Sequence, residues 1–180
     1  MKTKKATLAL MLSVLMLPAL AKANTAAFDK AMAPIVAEYE TIHKALAGDT
    51  EDGVARAAKK IAKLAGKVDA KSVTGKHAAH NKHLPMKIKA AATKLSKAKG
   101  IAKQRKAFME LSRPLAMWAT MSKPAGINVV FCSMAKGSWL QRDKKIANPY
   151  YGAKMLRCGE VVSGQHKGAS DGHMKSGHTH

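Results

Sequence analysis

Two cysteines and eleven methionines make sulfur the most distinctive chemistry of this 180-residue chain. Cys132 and Met134 are separated by one residue, and Met155 and Cys158 by two, so each pair can turn two sulfur side chains toward a common point. Thiolate and thioether sulfur prefer Cu(I) and similar soft ions to hard cations such as Mg²⁺ or Ca²⁺. The four residues therefore form a candidate soft-metal set. A Cys132–Cys158 disulfide, with the methionines as core filler, fits the same residues, and spacing alone leaves both readings open. Trp139, Tyr150 and Tyr151 fall in the same stretch, residues 131–160, although only 4% of the chain is aromatic. That stretch is the part the rest of the chain is expected to present.

Histidine supplies a second set of candidate ligands. From Ser163 to His180 the chain is Gly, Ser, Lys and His with almost no apolar content, which predicts a disordered tail. His173, Met174, His178 and His180, with His166 upstream, make it a metal-gathering arm of lower affinity, and its irregular spacing is unlike a continuous histidine tag. Imidazole also suits Cu(II) and Zn²⁺, so capture and final binding can differ in oxidation state. His77, His80 and His83 recur every three residues. On a helix two successive ones can share an ion, but a polar face at the start of a helix is the plainer reading.

The compartment decides which sulfur chemistry is available. Lys2, Lys4 and Lys5, an apolar run from Ala6 to Leu20, and the small-x-small site Ala21-Lys22-Ala23 describe a secretory signal peptide cut after Ala23. The run falls short of the roughly 20 residues that span a bilayer, so a periplasmic protein with no transmembrane segment after cleavage is expected. In an oxidising compartment two thiols pair unless a metal or a partner keeps them apart, whereas thioethers are spared. The formal charge is +21, or +17 without the four leader lysines. Such an excess attracts acidic partners. The lysines are dispersed and few aromatics lie between them to stack on bases, so no specific nucleic-acid site is expected. Only 11 acidic residues occur, and no Ser/His/Asp, paired-carboxylate or phosphate-loop pattern stands out, so an enzyme is not predicted.

Four amphipathic segments must position this chemistry. The first carries Phe28, Met32, Ile35, Val36, Tyr39, Ile42 and Leu46 at steps of three and four. Asn24 or Thr25 can cap its leading turn, Pro34 interrupts it so that the helix proper starts near Ala33, and Gly48 stops it. Thr50 caps a second, built on Val54, Ala57, Ala58, Ile61, Leu64, Ala65 and Val68. Pro85 opens a third, with Ile88, Ala91, Ala92, Leu95 and Ala98 inward, which Gly100 ends. The fourth runs from about Ile101 to Met121 with Phe108, Leu111, Leu115 and Trp118 inward, kinked or split by Pro114. The fold class is mainly α: an antiparallel four-helix bundle over 24–162. Beyond Pro124 the periodicity disappears into a loop-rich Cys/Met cap, with an extended run at Asn128 to Phe131 and a turn at Asn148-Pro149.

The order Cys132-x-Met134-Ala135, Trp139-Leu140, Asn148-Pro149-Tyr150-Tyr151-Gly152-x-x-Met155-Leu156-x-Cys158-Gly159-x-Val161 resembles a bacterial family. This is a domain, formerly of unknown function, that occurs as small exported proteins and fused to the C-terminus of Cus-type copper and silver efflux membrane-fusion proteins. Tyr39 to Leu46 followed by Asp49, and Arg105-x-x-Phe108-x-x-Leu111-Ser112, are similar to its helical portion, so the resemblance covers roughly Ile35 to Val162. Ser133 stands where that family usually has proline, and the segment between Met134 and Trp139 is short. The resemblance implies a helical bundle with a Cys/Met cap that handles heavy metal, chiefly copper, in the cell envelope. Cys132, Met134, Met155 and Cys158 match the family's sulfur pattern. The expected function is copper(I) or silver binding that buffers the ion or passes it to an efflux membrane-fusion protein. The alternative is a non-catalytic envelope protein with a Cys132–Cys158 disulfide and a basic surface that docks an acidic partner.

Overall fold

A computed structural model of the chain describes residues 17–69 and 78–163, the side chains of 17–26 and of His80 excepted. The order is α1 (Leu17–Ala47), α2 (Val54–Ala65), a four-residue α3 (Ala78–Asn81), α4 (Leu84–Lys97), α5 (Ile101–Ser122), β1 (Asn128–Cys132), β2 (Gly137–Gln141), a 3₁₀ turn (Gly152–Met155) and β3 (Glu160–Ser163). The chain is mainly helical with a small antiparallel sheet. No described helix is long and apolar enough to cross a membrane.

The periodic apolar positions are where the sequence puts them. Met32, Ile35, Tyr39, Ile42 and Leu46 of α1 are fully buried, and they meet Val54, Ala58 and Ile61 of α2, Leu84, Ile88 and Leu95 of α4, and Phe108, Leu111 and Leu115 of α5. Each helix packs on the next, α1 on α2, α2 on α4 and α4 on α5. Alanines at Ala57, Ala58 and Ala92 line this contact and let the backbones approach.

Neither proline splits its helix. α1 runs through Pro34 and α5 through Pro114. Proline removes one backbone bond and frees the carbonyl four residues earlier. Pro34 and Lys30 are both exposed, and Pro114 and Glu110 are both partly exposed, so each freed carbonyl lies on the water-facing side while the opposite face stays buried. Burial of that face outweighs the local penalty. Thr50 caps a turn, its Oγ1 accepting the Asp52 N–H at 3.1 Å, and Gly53, with φ 75°, is the residue that starts α2. Gly100 divides α4 from α5 at φ 83°, while α4 itself has already ended at Lys97, with Ala98 extended. Pro85 lies in the first turn of α4, as predicted.

The cap differs most from expectation: its framework is a three-stranded sheet in the order β2-β1-β3. β1 pairs antiparallel with β2 from Asn128↔Gln141 to Cys132↔Gly137, and with β3 at Phe131↔Glu160 and Val130↔Val161, with an irregularity between Val129 and Val130. Central β1 is buried at four of its five residues, and Trp139, Leu140 and Gln141 of β2 are buried as well. Neither strand shows the apolar–polar alternation of a half-exposed strand, because successive residues on both sides of β1 and of β2 are buried, whereas β3 is exposed at Glu160, Val161 and Val162. α5 packs on β2 and joins the sheet to the helices.

The buried Tyr39 fastens that joint. Its hydroxyl lies 2.7 Å from Ser112 Oγ on α5 and accepts the Leu140 N–H of β2 at 3.2 Å. Its ring stacks on Phe108 with centroids 4.7 Å apart. One side chain thus ties α1, α5 and the outer edge of β2.

Candidate thiol and soft-metal site

Strand pairing brings the two cysteines together. Cys132 is the last residue of β1, and Cys158 lies two residues before the start of β3. With Phe131 opposite Glu160 in an antiparallel register, the chain on either side of that pair places Cys158 beside Cys132. The sulfurs are 2.6 Å apart, and no disulfide bond joins them. Cys132 is 1% exposed, whereas Cys158 is half-buried.

Each arm is held by its own local structure. The residues between β1 and β2 form a tight four-residue loop, with the Lys136 N–H donating to Ser133 O at 3.2 Å and Lys136 itself at φ 50°. That turn aims the Ala135 N–H at Cys132 Sγ, 3.4 Å away. On the other arm, the Cys158 N–H donates to Met155 O at 2.9 Å, closing the turn that follows the 3₁₀ segment. Gly159 adopts φ 153° and lies against the sheet so closely that a Cβ there would fall 2.7 Å from Trp139 and 2.8 Å from Val130. Only glycine lets Cys158 come this near to β1.

The Asn148–Gly152 segment is the bracket for the second arm. Asn148 is fully buried; its Oδ1 accepts the N–H groups of Tyr150 (2.8 Å) and Tyr151 (3.3 Å), and its Nδ2 donates to Cys158 O at 2.9 Å. Its backbone N–H donates to Leu156 O at 2.8 Å. Pro149 O accepts from Arg105 Nε at 3.1 Å, and Arg105 Nη2 reaches Leu46 O at 2.7 Å and Asp49 Oδ1 at 2.6 Å. Asp49 Oδ2 in turn accepts the Ala153 N–H at 2.7 Å. Gly152, at φ 58°, sits against this ion pair with no room for a side chain. Tyr150 donates its hydroxyl to Ser138 O and meets Trp139 edge-on at 5.7 Å, while Tyr151 donates to Met134 O at 3.2 Å. His43, buried in α1, has Nε2 2.7 Å from Ala147 O. Burial lowers its pKa, against the opposing effects of that carbonyl and of Asp143.

The two thiols are unequal. Burial pushes the Cys132 thiol up, but its hydrogen bond with Cys158 and the N–H groups of Ala135 and Met134 outweigh that and hold it below the ordinary cysteine value. Cys158 is held above it by the hydrogen bond with Cys132, and burial adds to the rise. The buried inner thiol is therefore the more acidic of the two and the better leaving group, while the outer one is the more accessible.

The convergence seen is that of the two cysteine sulfurs. Met134 is 62% exposed on its loop, and Met155 is half-buried in the 3₁₀ turn. Among the described residues no group of three or more His, Cys, Asp and Glu side chains is gathered as a metal site. His83 is exposed immediately before α4, and His80 falls in α3. His77, His166, His173, Met174, His178 and His180, and the proposed cleavage site's leader residues 1–16, lie outside the described residues.

Sequence reasoning did not identify Asn148, Arg105, Asp49 or Gly159 as the parts that hold Cys158. A signal existed for two of them. Asn-Pro marked a turn, and the glycine directly after a cysteine pointed to a close backbone approach.

Residues 35–125, about half of the chain, match the family described as "Protein of unknown function (DUF3347)". The matched region is the helical portion from α1 to the end of α5, and it stops before the sheet and the cysteine pair. No curated protein and no solved structure matches the chain. On the match across its helices, the chain belongs to the DUF3347 family.

Proposed function

We propose that the protein binds a soft metal ion, Cu(I) or Ag(I), at the Cys132–Cys158 pair, in the periplasm, and buffers it or passes it to an envelope efflux system. The observation that carries this reading is the meeting of two sulfurs 26 residues apart in sequence, 2.6 Å from each other. Each cysteine also has a methionine within three residues, so thioether donors are at hand for a soft ion. Two thiolates on one ion at about 2.3 Å each stand about 3.8 to 4.6 Å apart. Loading therefore requires the sulfurs to separate by more than an ångström, and Cys158, the less buried, is the one with room to turn. Met134 and Met155 complete the ligand set by side-chain rotation, and the tail residues His173, Met174, His178 and His180 act as the capture arm. An efflux membrane-fusion protein is the proposed recipient.

The test is a titration of reduced protein against a competing Cu(I) chelator, with Cys132→Ser and Met155→Leu alongside. About one ion per chain is expected for a single cluster of this kind. Unchanged affinity in both variants sinks the site.

A second reading has its own support. The same proximity suits a disulfide that closes the cap, worth about 3 kcal/mol for a loop of this size. Lys97, Lys99, Lys103 and Lys106 surround a groove of about 380 Å³ where α4 meets α5, with Ala98 and Ala107 in its lining. In this reading the basic groove docks an acidic partner. Complete absence of free thiols in freshly isolated, metal-free protein, counted under denaturing conditions without reductant, favours it.

A further inference from the structure

The two sulfurs touch each other but do not face the same surroundings. Cys158, together with Phe131, Ser133, Gly159 and Glu160, lines a surface groove of about 250 Å³. Cys132 is not part of that lining and is 1% exposed. Its sulfur is enclosed by β1, by the 133–136 turn whose Ala135 N–H points at it, and by Cys158 itself. A thiol arriving from solvent therefore meets Cys158 first. The groove leaves Cys158 open to a small monothiol such as glutathione, whose cysteine side chain alone needs to enter it.

We infer that the pair is a thiol–disulfide exchange site of fixed polarity, in which Cys158 forms the mixed disulfide with a small monothiol and Cys132 is the sulfur displaced or resolving. In the reductive direction an incoming thiolate attacks Cys158 Sγ in line with the Cys132–Cys158 bond. That bond breaks, the new bond joins the monothiol to Cys158, and the electron pair leaves on Cys132 Sγ, which faces the Ala135 N–H. A second monothiol attacks the sulfur of the first and releases Cys158 as a thiolate. Two monothiols are oxidised to their disulfide, and the protein disulfide is reduced to two thiols. The oxidative direction is the reverse, with Cys132 resolving a mixed disulfide carried on Cys158. Resting on the proposed metal function, a consequence follows: the soft-ion site exists only in the reduced pair, so the redox state of the compartment's thiols gates metal uptake.

The polarity is measured without metal. Reduced, metal-free full-length protein is exposed to glutathione disulfide, quenched with acid at short times and mapped by peptide mass spectrometry. In the wild type the transient glutathione adduct is expected on Cys158. Cys132→Ser, with nothing to resolve the adduct, is expected to trap one glutathione at Cys158 at least tenfold faster than Cys158→Ser takes one up at Cys132. Equal rates, or an adduct on Cys132 in the wild type, overturn the inference. Circular dichroism of both variants, and equal alkylation of their single thiols in urea, separate slow reaction from misfolding, and the wild-type map stands independently of either variant. Gating is read separately by Cu(I) uptake of reduced and oxidised wild type, expected for the reduced form alone. Equal uptake by both forms overturns gating. No uptake by either overturns the metal function, while the adduct map decides the polarity on its own.

Discussion

Replacing Tyr39 by phenylalanine removes one oxygen from the place where helices and sheet are joined. The hydrogen bonds there run in one direction. Ser112 Oγ donates to Phe108 O at 2.8 Å, so its hydrogen is committed; Tyr39 donates to Ser112 Oγ at 2.7 Å and accepts from the Leu140 N–H at 3.2 Å. In Tyr39→Phe the ring remains stacked on Phe108 and Ser112 keeps its bond to the helix. The loss falls on the Leu140 N–H, which faces away from β1 on the outer edge of β2, at a residue with 0% exposure. A buried donor left without a partner costs about 1 to 3 kcal/mol, and about 2 kcal/mol is the expected loss. For a chain of this length that corresponds to a fall in Tm of roughly 4 to 8 °C. Ser112→Ala strands the tyrosine O–H instead, and the double variant is expected to lose less than the sum, because the second change finds the hydrogen bond already gone. Urea unfolding followed by circular dichroism gives all three values on one scale. A loss below about 0.5 kcal/mol in Tyr39→Phe would mean that water or another acceptor reaches the Leu140 N–H, and the account of this joint would be wrong.

Four further outcomes follow from the same structure. His43 is buried with a lowered pKa, so the folded chain binds fewer protons than the unfolded chain below about pH 6.5. Its contribution to stability is complete above that pH and is lost as pH falls toward the folded value; His43→Gln should flatten the slope between pH 7 and 5, and an unaltered slope refutes the assignment. Tyr39 and Tyr150 are raised by burial, so their contribution is complete below about pH 10 and is lost as pH rises through the folded values. Chemical unfolding at pH 9 and pH 11 checks this, and equal midpoints count against it. Gly152→Ala should lower Tm, since a Cβ would lie 2.1 Å from Asp49 Oδ1 and 2.3 Å from Arg105 Nη2 at a φ of 58°; a wild-type melting curve would show that the ion pair moves aside without cost. Gly159→Ala should push Cys158 away from β1 and slow closure of the disulfide at fixed oxidant, and an unchanged closure rate argues that the approach of the two cysteines does not depend on this glycine.

The helices were legible because their information is local. A stripe such as Val54, Ala57, Ala58, Ile61 and Ala65 needs no knowledge of its partner to be recognised, and all five are buried. The prolines were misread for a related reason. A local rule predicts a break at Pro34, but the outcome depends on which side of the helix the freed carbonyl faces, and Lys30 and Pro34 lie on the exposed side. The strands were harder to see, since Asn128–Cys132 and Gly137–Gln141 are short and covered on both faces, which erases the period of two.

The candidate site shows the same division between local and distant information. That Cys132 and Cys158 are chemically apt was visible from their types and neighbours, but their meeting depends on β3 pairing with β1 in one register and on Arg105 holding Pro149 from 44 residues away. A shift of β3 by two residues would preserve which face each side chain occupies and still carry Cys158 well beyond contact, since a strand rises about 3.3 Å per residue. The buried Asn148 and the close approach at Gly159 oppose that shift by fixing the chain immediately before β3. The chemistry of the pair is therefore a property of strand register, and the residues that set the register lie as much in the helical half of the chain as in the cap.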